Sequence, residues 1–324
     1  MKKVTLGQQG LIVSRLGLGC MGMSWAYGES NDLQSLATLK EALALGVNFW
    51  DTADVYAGGR NEVLLSQILS TERNRVVLAS KCGITGRNAE GYTLNGRPDY
   101  IYKSCDESLK RLGVNVIDLY YLHRLDPDVP VEDSIGAIGE LVHKGKVRFA
   151  GLSEVSADVI RRAHTEFPLS VVQSEYSLFS RGVEAEVLPT LRELKIGLVP
   201  YCPLGRGILT GTIDTQTTLS PNDFRLNQPR FQGANFQQNL KLVARIKDIA
   251  REHGCTPAQL ALAWLLQQGP DIVPIPGTKR IKYLTENIDA AKLQIADSRL
   301  QDLDFQGKVS GTRHTALHMK SLAP

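Results

Sequence analysis

Residues 16–24 read LGLGCMGMS, and the glycines at 17, 19 and 22 spell G-x-G-x-x-G. Two architectures place such a run after a first strand. In a doubly wound dinucleotide-binding sheet the third glycine opens a helix directly, and an acidic residue follows about 20 positions on. In an α/β barrel the same glycines need only turn the backbone and leave room beside a pocket. Here Gly22 is followed by MSWAYGESND, a loop with two aromatic residues and another glycine, and the helical pattern starts no earlier than Asn31. This context favours the barrel.

Working outward, eight short apolar runs recur, each followed by a stretch with helical spacing. They are LGLGC (16–20), VNFWD (47–51), VVLASK (76–81), VIDLYYLH (116–123), VRFAGLS (147–153), LSVVQS (169–174), IGLVPY (196–201) and DIVPIPG (271–277). In the first helical stretch Leu36, Leu39, Ala42 and Leu43 share a face and Gly46 supplies the stop. Strands alternating with helices require a parallel sheet with right-handed crossovers. Eight units fit a closed (β/α)₈ TIM barrel better than an open sheet. Ahead of them, KVTL-GQQG-LIVS predicts a β-hairpin capping the barrel floor. The chain is expected to form one barrel domain over 1–324. Its longest irregular stretch, from Leu204 to about Phe236, is long enough to be functional. Residues 308–324 are expected to form a flexible tail or a flap over a pocket.

Composition narrows the function classes. The 324 residues are 43% hydrophobic and 22% charged, with 37 basic and 34 acidic side chains spread along the chain. A net charge of +3 without a basic stripe gives no footprint for nucleic acid or an acidic membrane. No run has signal-peptide or membrane-spanning character, so a soluble cytoplasmic protein is expected. Five cysteines, an odd set without a C-x-x-C pair or zinc spacing, read as free thiols and imply no metal. Cys20, Cys82 and Cys202 fall at or beside strand ends, where they pack as small hydrophobes or confer thiol sensitivity.

Barrel active sites lie at the C-terminal ends of the strands. There the sequence places Asp51 ending the second strand, Tyr56 five residues on, Lys81 ending the third and His123 ending the fourth. Singly, each has an ordinary structural reading. Together they occupy equivalent positions on three successive strands.

The stretch DTADVYAGGRNE resembles the signature of the aldo-keto reductase superfamily. The likeness continues through LASKCG, DLYYLHRLDP, VRFAGLSE, VVQSEYSLFSR, PYCPLGRGILTG and VPIPGTKRIKYLTEN, from about residue 3 to 305. The resemblance implies that Tyr56 is the general acid protonating a carbonyl oxygen, with Lys81 and His123 beside it and Asp51 paired to Lys81. A free tyrosine has a pKa of about 10, and a nearby ammonium is expected to lower it. A neighbouring histidine can donate to the same oxygen.

The resemblance also implies NADPH or NADP as cofactor, since no side chain supplies a hydride. The family pattern sets the nicotinamide amide against Ser153 and Gln173 and its ring on Tyr201. Glu154 stands where Asn is most common, which leaves its contact with the amide open. The run Pro203, Leu204, Gly205, Arg206, Gly207 offers glycine N–H groups to a pyrophosphate. Gly277 precedes a helix whose N-terminus favours phosphate. Lys279 and Arg280 there suit a ribose 2′-phosphate, which separates NADP from NAD. Glu286 and Asn287 match positions that contact adenine.

The expected activity is reduction of small aldehydes or ketones to alcohols. The alternative is a nicotinamide-binding regulatory subunit resembling the β subunits of potassium channels, although this chain enters its hairpin by residue 3. Trp25, Tyr27 and Arg124, with the loops and the tail, shape the substrate pocket. The specific substrate and the oligomeric state are not legible.

Overall fold

In the computed structural model of the chain, all residues are described except 90, 297, 298, 300, 320, 321, 323 and 324. A hairpin of β1 (Lys3–Leu6) and β2 (Leu11–Ser14) comes first, paired antiparallel with Leu6 opposite Leu11. The repeating units follow in the expected order. They are β3 (Leu18–Gly19), α1 (Asp32–Ala44), β4 (Phe49–Asp51), α2 (Arg60–Glu72) and β5 (Val77–Cys82). After β5 comes a second hairpin, β6 (Ile84–Asn88) with β7 (Gly91–Leu94), and then α3 (Pro98–Leu112). The chain continues through β8 (Ile117–Leu122), α4 (Val131–His143), β9 (Val147–Ser153), α5 (Ala157–Glu166), β10 (Leu169–Glu175), α6 (Val187–Glu193) and β11 (Gly197–Tyr201). Helices α7 (Gly233–Glu252), α8 (Pro257–Gln267) and α9 (Ile281–Asp289) complete the shell.

The strands form one parallel sheet in the order β11-β10-β9-β8-β5-β4-β3. The eighth run, DIVPIPG, was expected to be a strand of the same kind and differs for a chemical reason. Val273 and Ile275 donate to Leu198 and Pro200 of β11 (2.9 and 3.0 Å), while Pro274 and Pro276 accept from Gly17 and Gly19 (2.9 and 3.3 Å). Residues facing the first strand are thus prolines, which have no N–H to return. The segment bridges both edges, at Gly19–Gly277 and Leu198–Ile272, with half a ladder on one side. The arrangement is a (β/α)₈ barrel with an N-terminal hairpin, closed by an extended segment instead of a regular strand.

Closure explains two of the opening glycines. A Cβ on Gly17 would lie 2.7 Å from the Phe49 ring and 2.8 Å from Ile275 Cγ2; on Gly19 it would lie 2.8 Å from the Ile275 carbonyl oxygen. Arg15 clamps the approach to the same segment, donating to the carbonyls of Leu266 (2.5 Å), Gly269 (2.9 Å) and Ile272.

Strands β8 and β10 are buried at every position, as parallel strands covered on both faces must be. One apolar cluster fills the barrel interior with Phe49, Leu119, Tyr121, Val171, Val199 and Ile275, and Leu6, Leu11 and Val13 of the hairpin join it. The hairpin therefore plugs the floor, and Gly197 lets it in: a Cβ there would meet Leu6 at 2.7 Å. A larger cluster lies between strands and helices. There α1 buries Leu39, Ala42 and Leu43, capped by Asn31, whose side chain accepts from Gln34 N (2.9 Å).

Gly17→Ala should lower stability by about 1–3 kcal/mol, the usual cost of forcing atoms into a packed core. Urea unfolding checks this against Gly182→Ala, where a Cβ meets nothing within 4 Å. Equal midpoints for the two variants would show that closure is not tight.

Candidate active site

Asp51, Lys81 and His123 stand at or just beyond the C-terminal ends of β4, β5 and β8, and Tyr56 lies in the turn after β4. The fold brings the four together. Lys81 is fully buried; its ammonium is paired with Asp51 Oδ1 and donates to Thr52 O (2.8 Å) and to the Tyr56 hydroxyl (3.2 Å). Gln173 Nε2 donates to the other Asp51 oxygen (2.8 Å). His123 meets the Tyr56 ring edge-on, with centroids 5.9 Å apart, and its Nδ1 has no hydrogen-bond partner.

Burial sets the protonation of this group. It holds the Tyr56 phenol well above its ordinary pKa, with Asp51 pushing the same way and Arg124 opposing. The expectation that an ammonium lowers this pKa is corrected here, because desolvation of the tyrosinate is the larger effect. Burial likewise lowers Lys81, with Asp51 pulling back. His123 is held well below its ordinary value by burial, Arg124 and Lys81, so its imidazole is neutral.

Asp51, Tyr56 and His123 line a cavity of about 440 Å³. Ser153, Gln173, Tyr201, Pro203, Leu204, Arg206 and Gly207 line it, as do Gly277, Lys279, Arg280, Glu286 and Asn287 toward α9. Trp25, Tyr27 and Arg124 are on its wall. Lys81 and Gly205 are not; both are buried behind it.

Two readings of the cavity wall change. Gly205 N and Gly207 N are spent on Cys202 O (2.8 Å) and Leu204 O (2.9 Å), so they are not the free donors expected for a pyrophosphate. Residues 205–207 all have positive φ, which folds the loop back on itself and turns these N–H groups inward. The Arg206 guanidinium points to Glu175, with bonds of 2.7 and 3.2 Å, in a pair that is almost fully buried. Although burial alone would raise the Glu175 carboxyl, Arg206, His314 and Arg313 bring it down to about 2.

At the far end, α9 begins at Ile281 with no side-chain cap and no acidic residue in its first turn. Arg280 N donates to Thr278 Oγ1 and Tyr283 N to Arg280 O (3.1 Å each), which leaves the N–H groups of Ile281 and Lys282 as the open donors of the helix start. Lys279 reaches across the mouth to the carbonyls of Tyr27 (2.9 Å) and Glu29. Both acceptors are neutral, so its charge stays uncompensated. Glu286 is held by the Thr256 hydroxyl (2.6 Å).

Glu154 has a left-handed backbone (φ +58°) and binds neither Ser153 nor Gln173 through its side chain; it takes a bidentate bond from Arg313 (2.8 and 2.6 Å) and one from Glu175 N (2.8 Å). This anchors the described part of the tail over the cavity. His314 sits between Arg206 and the Tyr201 hydroxyl (3.2 and 3.4 Å), and burial with Arg206 pushes it down to about 3. His318 stacks on Tyr92 and Phe224. Sequence reading missed Arg313, His314, Tyr92 and Phe224. Only the alternating ITGRN and GYTL around a turn signalled the hairpin that carries Tyr92. Residues 320, 321, 323 and 324 of the tail lie outside the described residues.

The model of the Aldo/keto reductase family matches residues 15–305. A soybean (Glycine max) protein named probable aldo-keto reductase 1 is 44% identical over 317 residues, covering 96% of this chain and 91% of that one. A glycerol dehydrogenase of Gluconobacter oxydans superposes with a TM-score of 0.84 at 28% identity, over 94% of this chain and 95% of the other. A thermostable aldo-keto reductase solved with the inhibitor epalrestat gives a TM-score of 0.76 at 28% identity, over 95% and 100%. Among the described residues no helix is long and apolar enough to cross a membrane. The family model spans most of the chain and the soybean relative nearly all of it, so the chain belongs to the aldo/keto reductase family, oxidoreductases acting on small carbonyl compounds.

Proposed function

We propose that the chain is an NADPH-dependent reductase of aldehydes or ketones in which Tyr56 donates the proton to the carbonyl oxygen. One observation carries this reading: Tyr56 lines the cavity, and its hydroxyl lies 3.2 Å from a fully buried ammonium that a buried carboxylate holds in place. A nicotinamide cofactor, when bound, supplies the hydride. The protein's part is to place a carbonyl oxygen where Tyr56 can protonate it. The raised pKa keeps the phenol protonated at neutral pH, the form a donor needs. Lys81 stabilises the tyrosinate left after transfer, and Asp51 keeps Lys81 charged and fixed. Neutral His123 can donate one N–H to the same oxygen, which orients the carbonyl.

The cavity fits an extended cofactor, running from Ser153, Gln173 and Tyr201 at the chemical end to the start of α9. The uncapped helix start and the charges of Lys279 and Arg280 suit phosphate, and these two side chains are the basis for NADPH over NADH. Glu286 and Asn287 would border the adenine, and Tyr201 the nicotinamide ring. The whole chain, 1–324, would act as one unit in this reading, with the tail as part of the pocket wall.

Tyr56→Phe should keep NADPH binding, measured by fluorescence titration, and lose about 10²–10⁴ in kcat. Surviving turnover would reassign the donor. Arg280→Ala should lower kcat/KM for NADPH about 10- to 100-fold, the worth of a charge-assisted bond, while leaving NADH use nearly unchanged. Comparable use of both cofactors by the unaltered protein would remove the role given to Lys279 and Arg280. Cys20 and Cys82 are fully buried, and burial raises the half-buried Cys202 thiol to about 11. Brief iodoacetamide treatment at pH 7 should therefore leave activity intact; loss in step with Cys202 labelling would establish thiol sensitivity.

A further inference from the structure

Arg124 directly follows His123 and is 7% exposed. Its guanidinium donates from Nη1 to the His123 carbonyl (2.6 Å) and to Ser153 Oγ (3.1 Å), while Nε has no hydrogen-bond partner. Both acceptors are neutral. The carboxylates nearby are all engaged: Asp51 with Lys81, Glu175 with Arg206 and, at 3.7 Å, Arg230, and Glu154 with Arg313. Arg225, from the long loop, is held by Asp223. Arg124 forms no ion pair among the described residues, so the chemical end of the cavity keeps one uncompensated positive charge.

Removing an unpaired charge from water is costly, and arginine cannot relieve the cost by losing its proton. The charge is also felt by its neighbours, since Arg124 opposes the upward shift of Tyr56 and adds to the downward shift of His123. We propose that Arg124 receives an anionic group, a carboxylate or a phosphate, carried by the carbonyl substrate that Tyr56 and His123 face. This names the substrate class and rests on the reductase reading above. A guanidinium can offer parallel charge-assisted bonds to the oxygens of either anion. Arg206 and Arg225 cannot take this role, because each already holds a carboxylate, and Arg280 stands at the other end of the cavity, at the start of α9.

The test uses the full chain with NADPH and substrates paired by the presence of an anion: 4-carboxybenzaldehyde against the isosteric 4-formylbenzamide, and dihydroxyacetone phosphate against dihydroxyacetone. The anionic member of at least one pair should be favoured tenfold or more in kcat/KM, mainly through KM, and the preferred pair tells carboxylate from phosphate. Arg124→Gln should reduce that ratio at least tenfold, and Arg124→Lys should restore part of it. Equal use within both pairs overturns the proposal, as does a ratio that Arg124→Gln leaves in place while the KM for NADPH rises. Calorimetry on the unaltered protein gives a readout that needs neither turnover nor a folded variant: with benzoate against benzamide and phenyl phosphate against phenol, the anion of at least one pair should bind at least tenfold tighter, and equal binding within both pairs overturns the anion site. A protein that binds benzoate selectively but reduces no carbonyl keeps the anion site and defeats the reductase reading. One that reduces both members of each pair equally does the reverse.

Discussion

A barrel has no free edge only if its last strand pairs on both sides, and in this chain that strand contains two prolines. The half-ladder that results is tolerable because Pro274 and Pro276 still accept from Gly17 and Gly19, and because those glycines let the backbones approach closely. Everything at the mouth follows from this closure. Residues 277–280 come to lie beside the first βα loop, which lets Lys279 reach Tyr27 and Glu29 and sets the start of α9 at one end of the cavity. The hairpin under the barrel seals the other end, so the interior is packed and the cavity opens on one face only.

Within the mouth, charge is placed where packing alone would not put it. Buried ion pairs contribute little net stability compared with well-packed apolar residues, since desolvation offsets most of the attraction. Such pairs nevertheless surround the cavity, and three of them fix different parts of it. Asp51–Lys81 positions the Tyr56 hydroxyl, Glu175–Arg206 folds the loop after β11 inward, and Glu154–Arg313 fastens the tail. Their common effect is geometric: they hold groups at defined places around a space that a substrate must enter.

Much of this was legible in the chain. Apolar runs of strand length alternating with helical spacing gave the eight units, and strand-end positions gave Asp51, Tyr56, Lys81 and His123, because a barrel presents those ends together. The signal failed where bonding is between distant polar groups. Nothing in Glu154 or Arg313 marks them as partners 159 residues apart. The tail lacked apolar anchors and was therefore left open between two readings, yet polar anchors hold it: Asn239 brackets Ser310 with two bonds of 2.9 Å. Glycine-rich PLGRG suggested free N–H donors, and only the run of left-handed residues showed them turned inward.

The amino-acid sequence by itself determined the barrel, its floor and the side chains at its strand ends, since periodicity and turn chemistry act over a few residues and survive without knowledge of neighbours. The tertiary structure alone decided which charges are matched, which way burial moves each proton and that Arg124 is buried without an ion pair among the described residues. Those properties depend on distance and solvent exclusion between segments far apart in the chain. G-x-G-x-x-G shows the division: its spacing suggests a phosphate loop, and its place in the fold makes Gly17 and Gly19 the seam along which the barrel closes.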